Sequence, residues 1–135
     1  MNRAARKLRE FIAAKYPKWL DTASVREEGD IEVSVAAPVG SQAEHLVLFT
    51  DKGTLWIRFN PPYMCYSVES VHEMSDIVGA ILRDEVCFMV AMKGSTWLET
   101  TLVRNGQAPT AEADVAYKVV SWTGKNDKVI GGTPL

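Results

Sequence analysis

Cysteine is scarce in this chain: Cys65 and Cys87 are the only two in 135 residues. They form no CxxC pair and sit in different apolar surroundings, so they read as buried thiols of a cytosolic protein rather than as a disulfide framework. Histidine is equally scarce. His45 and His72 lie far apart, in neither HxxxH nor Cys/His spacing, so no zinc site is expected. No apolar run approaches the roughly 20 residues that span a bilayer. Near the basic N-terminus Arg9 and Glu10 interrupt Leu8, Phe11 and Ile12, which leaves no unbroken core for a signal peptide. P-loop, GxGxxG and GxSxG motifs are missing, as are repeats, heptads and low-complexity tracts. No catalytic, cofactor-binding or metal-ligating residue is expected, and no cofactor.

What is present suits one α+β domain over residues 1–135. Nearly half the residues (47%) are apolar, enough to fill a single core. Charge is close to balanced but unevenly spread. Residues 1–18 hold six Lys/Arg against Glu10 alone, or +5; the whole chain is −2, which leaves −7 on residues 19–135. An acidic body behind a basic first helix argues against nucleic acid as a direct ligand and for a basic partner.

Apolar residues at spacings of three and four predict a helix over residues 3–16, ended by Pro17. Trp19 and Leu20 are expected to tuck against the core. Alternation in Ile31, Val33 and Val35, in Leu46 to Thr50, and in Leu55, Ile57 and Phe59 predicts an antiparallel three-stranded meander over residues 31–60, with a turn at Asp51-Lys52-Gly53. Pro61-Pro62 should stop that sheet. A second helix is predicted over residues 67–83, capped by Ser67 or by the box Ser70-Val71-His72-Glu73. Val86 to Met92 is almost wholly apolar and reads as a central strand covered on both faces. Trp97 to Val103 returns beside it, with Leu98, Thr100 and Leu102 opposite in facing to Trp97, Glu99, Thr101 and Val103. Val115 to Trp122 could be helix or strand, and its β-branched residues favour strand. Residues 125–135 read as a loose tail. The expected architecture is two helices packed on a mainly antiparallel sheet of roughly six strands.

Few residues invite a chemical role. Cys65 with His72 would need hydrogen-bond reach and an oxyanion hole to act as a thiolate–imidazole pair, and no glycine-rich nest accompanies them. Trp19, Trp56, Trp97 and Trp122 could line a ligand pocket, although tryptophans in a small sheet protein serve the core or a sheet face more often.

The order helix, three strands, helix, two strands and a last strand, together with Pro61-Pro62-Tyr63-Met64, Trp97-Leu98-Glu99 and Ser121-Trp122-Thr123-Gly124-Lys125, resembles small bacterial immunity proteins. Those are the cytosolic antidotes of contact-dependent inhibition and other polymorphic toxin systems. The resemblance implies a cytoplasmic, non-enzymatic α+β domain that binds and neutralises the C-terminal domain of a cognate toxin, often a basic nuclease. It implies no membrane or direct nucleic-acid partner, and a monomer is favoured. No family motif marks the contacting residues. The first part of the same order is also similar to type III secretion chaperones, which end in a third helix. A strand at 115–122 favours the immunity reading and a helix favours the chaperone. A third class is a small-ligand binder or enzyme with a Trp-lined pocket.

For the partner surface, residue types point to Glu69, Glu73, Asp76, Asp84 and Glu85, an acidic cluster on and after the second helix with only Arg83 as a nearby cation. Trp56 and Trp97 are the candidate aromatic anchors if they lie outside the core.

Overall fold

The structure is a computed structural model that describes residues 1–59, 64–104 and 114–131. Asn60, the Pro61-Pro62 stop, residues 105–113 and the last four residues lie outside the described residues. Helix α1 (Arg3–Lys15) leads into a short 3-10 helix (Pro17–Thr22) and strand β1 (Ser24–Val25). Strands β2 (Ile31–Ala36), β3 (His45–Asp51), β4 (Thr54–Phe59) and β5 (Met64–Val68) follow, then helix α2 (Val71–Leu82). Strands β6 (Val86–Lys93), β7 (Thr96–Arg104), β8 (Val115–Val120) and β9 (Lys128–Ile130) complete the described chain.

The class is α+β as expected, but one six-stranded sheet is replaced by two antiparallel sheets. The first has five strands in the order β1-β2-β3-β4-β5, and the second four in the order β7-β6-β8-β9. The difference arises at β5. Its register pairs Tyr66 with Ile57 and Val68 with Leu55, so the stretch read as the approach to a helix extends the meander instead. The second helix therefore starts at Val71, not Ser67, with Ser70 Oγ accepting from Glu73 N at 3.1 Å. The 3-10 helix makes a third helical element, which starts at the Pro17 predicted to end α1. Part of the expected tail is also ordered, since β9 pairs with β8 through Val129 and Lys118.

Both sheets and both α-helices share one core. Strands β2 to β4 send alternate residues inward, among them Val33, Leu48 and Ile57, against Leu8 and Ile12 of α1 and Met74, Val78 and Ile81 of α2. From the second sheet, β6 contributes Phe88 and Val90, and Val120 and Trp122 join them. The ring of Phe88 meets that of Phe59 edge-on, with centroids 4.7 Å apart. The opposite face of β6 carries Cys87, Met89 and Ala91 in a second buried cluster with Tyr117 and Val119. Strand β6 is thus central and covered on both faces, within a sheet of four.

The exit from α2 explains a residue that composition alone misplaces. Asp84 N donates to Ile81 O and Glu85 N to Ala80 O, a helix-ending pattern that puts the residue after the cap in the left-handed region. Glycine is the usual occupant, whereas here Asp84 holds φ at 57°. Its carboxylate accepts from Thr123 N at 3.1 Å and from Thr123 Oγ1, which ties the end of α2 to the turn after β8.

Candidate functional site

The residues expected to form one acidic docking cluster are put to several uses. Asp84 is buried, with 8% of its surface exposed, and serves the clasp just described. Glu73 sits in the first turn of α2, where its carboxylate accepts from Glu69 N at 3.0 Å and favours the positive end of the helix. Glu85 pairs with Arg83 at 2.9 Å; this bond holds the Glu85 carboxyl below its ordinary range and raises the Arg83 guanidinium. Asp76 is 3.8 Å from His72 Nε2, and both side chains are largely exposed. Cations of α1 also come close, since Lys15 Nζ donates to Ser75 Oγ of α2 at 2.7 Å. Glu69 and Asp76 are exposed and, like Glu73, have no lysine or arginine ion pair among the described residues.

The two tryptophans differ. Trp56 lies on the face of the five-stranded sheet away from the helices. It is half-buried and stacks on Phe49 with centroids 6.2 Å apart. Arg58 spans the same face, 4.9 Å over the Phe49 ring, and bonds Glu32 Oε1 at 2.9 Å, while Arg26 reaches that oxygen at the same distance. That half-buried stack makes Trp56 a sheet-face residue. Trp97 is 45% exposed and Leu98 beside it is 47% exposed. Opposite them the register shifts between Ala91 and Met92: Ala91 pairs with Glu99 and Met92 with Trp97, so Leu98 is an extra residue in β7. This bulge overrides the expected strict alternation. It places Trp97 on the side of Thr100, whose Oγ1 accepts from the indole Nε1 at 3.0 Å. The result is a fixed aromatic ring beside an exposed leucine at the hairpin tip.

A cleft of about 870 Å³, not foreseen from the sequence, opens where the N-terminal ends of α1 and α2 meet the β3–β4 turn. Asp30 organises one wall. Its carboxylate accepts from Asn2 Nδ2 and Thr50 Oγ1, both at 2.8 Å, and from Lys52 N at 3.3 Å. The Asn2 bond is the leading cause that lowers the Asp30 pKa from its ordinary value; burial opposes it, and the Thr50 and Lys52 bonds reinforce it. Asn2 also caps α1, accepting from Ala5 N at 2.9 Å. Its backbone N–H approaches Gly29 so closely that a Cβ there would lie 3.0 Å from it. The Lys52-Gly53 turn, with φ of 50° and 84°, puts both residues in the lining of the same opening. Arg3, Lys7 and Lys52 therefore line this cleft together with Glu28 and Glu69.

Neither cysteine is in a disulfide, and burial raises both thiols above their ordinary pKa. His72 is 90% exposed and turned to Asp76, which is no arrangement for a pair with Cys65. Among the described residues, no three His, Cys, Asp or Glu side chains are grouped to hold a metal ion, and no helix is long and apolar enough to cross a membrane. Compared with known proteins, the chain matches no family model, no curated protein and no solved structure.

Proposed function

We propose that this protein is a binding protein of the immunity type, which occupies a cognate toxin domain in the cytoplasm and blocks it by direct contact, without catalysis. The observation that carries the reading is the bulged tip of β7, where Trp97 and Leu98 stand half exposed and the indole is already held by Thr100. Tryptophan is enriched among interface residues that dominate binding. A ring fixed before docking loses less freedom on association than a mobile one. The −7 charge on residues 19–135 favours a basic partner. The strand at Val115–Val120 favours this reading over a secretion chaperone, which would place a helix there.

The test is association with any toxin domain encoded beside this chain. Trp97→Ala with Leu98→Ala leaves the core intact, since both side chains are on the surface. It should weaken binding by about 2 kcal/mol or more, roughly 30-fold in Kd. Glu69→Lys with Asp76→Lys should slow association at low salt and lose that effect as salt rises. Unchanged affinity in the Trp97/Leu98 variant removes the tip as anchor. Failure of wild type to bind any adjacent toxin domain removes the immunity reading.

A further inference from the structure

The cleft beside Asp30 breaks a local rule of helix construction. Carboxylates suit the first turn of a helix, where free N–H groups project partial positive charge. Helix α1 has no acid there; it has Arg3 and Arg6, with Lys7 next in line. Lys52 adds a third cation to the cleft from a different element. Among the described residues, Arg3, Lys7 and Lys52 form no ion pair. Asp30 keeps its charge, because the groups that bond its oxygens are neutral, but among the described residues it makes no ion pair with any of these cations. Cations left unpaired at the positive end of a helix repel it, and sequences that break such rules tend to do so at functional sites. The helix ends add to this field but by themselves would specify nothing.

Beside Asn2, Gly53 and Ser70, part of the remaining lining is apolar. Leu55 and Val68 are buried and Val71 is half-buried at the base of the cleft. Its volume of about 870 Å³ lies within the roughly 300–1,000 Å³ of small-molecule sites. We propose that this cleft binds a small organic anion, a phosphate or carboxylate head on an apolar body, with the head at Arg3, Lys7 and Lys52 and the body against Leu55, Val68 and Val71. Glu28, Asp30 and Glu69 balance Arg3, Lys7 and Lys52 in number, so the head is held by contact with the three cations and not by a net positive field. That suits a head of one or two charges and disfavours a nucleic-acid backbone, whose binding depends on a strongly basic surface. This site uses neither Trp97 nor Leu98, so the Trp97/Leu98 variant tests toxin binding without touching it, whereas Glu69 lines the cleft and belongs to both surfaces.

Amide spectra of the full chain, titrated with phenyl phosphate, hexanoate, inorganic phosphate or chloride at matched ionic strength, test it. Phenyl phosphate should give saturable shifts at Ala4, Gly53 and Ser70, with a Kd about tenfold or more below that of inorganic phosphate, because only the ester has a body to bury. Hexanoate shifting the same amides more strongly than phenyl phosphate would assign the head as carboxylate. An Arg3→Glu, Lys52→Asn variant should lose about tenfold or more in affinity for the better probe. Asparagine tolerates the positive φ at position 52 and glutamate suits the start of α1, so this variant should melt as high as wild type or higher. Lys52→Asn alone repeats the test with a single change. Shifts reproduced by chloride, unchanged affinity in the variants, or a lower melting temperature would each overturn the proposal. So would tighter binding of a short single-stranded oligonucleotide than of either probe.

Discussion

Phe88 is where the two sheets meet, and truncating it tests the architecture directly. It stands in the middle of β6, fully buried, with its ring at 69° to that of Phe59. Phe59 ends β4 of the other sheet and lies 6.2 Å from the Trp122 ring. Phe88→Ala removes a benzyl group from a site walled by residues that are held in their own ladders, so the void cannot close. Such truncations cost about 3–5 kcal/mol, and the lost edge-on ring contact accounts for roughly 0.5–1.5 kcal/mol beyond area burial. The expected loss is about 4 kcal/mol. With an m-value of about 1.5 kcal/mol/M, the urea midpoint should fall by roughly 2.5 M. Phe88→Leu keeps most of the volume and should cost only about 1 kcal/mol. Val90→Asp would place a carboxylate in the same core and should prevent folding. Unfolding followed by tryptophan fluorescence and by far-ultraviolet circular dichroism should give one coincident transition, because both sheets contribute to one core. A loss below about 1.5 kcal/mol for Phe88→Ala, or a separate transition for each sheet, would refute the shared core.

Two further outcomes follow from buried carboxylates. At Asp84, alanine loses both the Thr123 bonds and tolerance of positive φ, so melting experiments should show a loss of about 2–4 kcal/mol. Asparagine, which keeps an acceptor and the left-handed backbone, should cost less than alanine. At Asp30 the folded pKa lies below the unfolded value of 3.8, so its charged form stabilises the fold above that value, and the contribution is lost as pH falls through the folded pKa. Stability measured from pH 5 down to pH 2 should therefore fall less steeply in Asp30→Asn than in wild type, after a lower starting value; parallel curves would show that Asp30 is not the group responsible.

Much of the fold was legible because burial enforces periodicity. Leu55, Ile57 and Phe59 alternate, so the meander register follows from the pattern. The apolar run of β6 similarly marked a strand covered on both faces. Strand β5 was missed although its pattern is also alternating, with Tyr66 paired to Ile57 and Val68 to Leu55. Ser67 and Ser70 can each begin a helix by the same local chemistry. Only the long-range pairing with β4 decides between them, and a local window does not contain it. The division into two sheets has the same origin, since which strand edges bond one another is not written in either strand alone.

The site residues divide along the same line. A bulge such as that at Leu98 leaves the composition of β7 unchanged, yet it turns Trp97 to the side of Thr100 and makes an exposed anchor of it. Asp84 looked like one more surface acid because its partner, Thr123, lies across the fold. Arg3 and Arg6 are the instructive case. Their misfit with the start of a helix is visible in the sequence, and the charge count registered it only as a basic helix. For Arg3 the misfit gains a meaning once Lys7 and the Lys52-Gly53 turn bring further cations to the same opening. A residue that opposes its own local structure is a sharper pointer to a site than a cluster of like charges, because solvent readily accommodates the cluster while the opposition persists in the folded state.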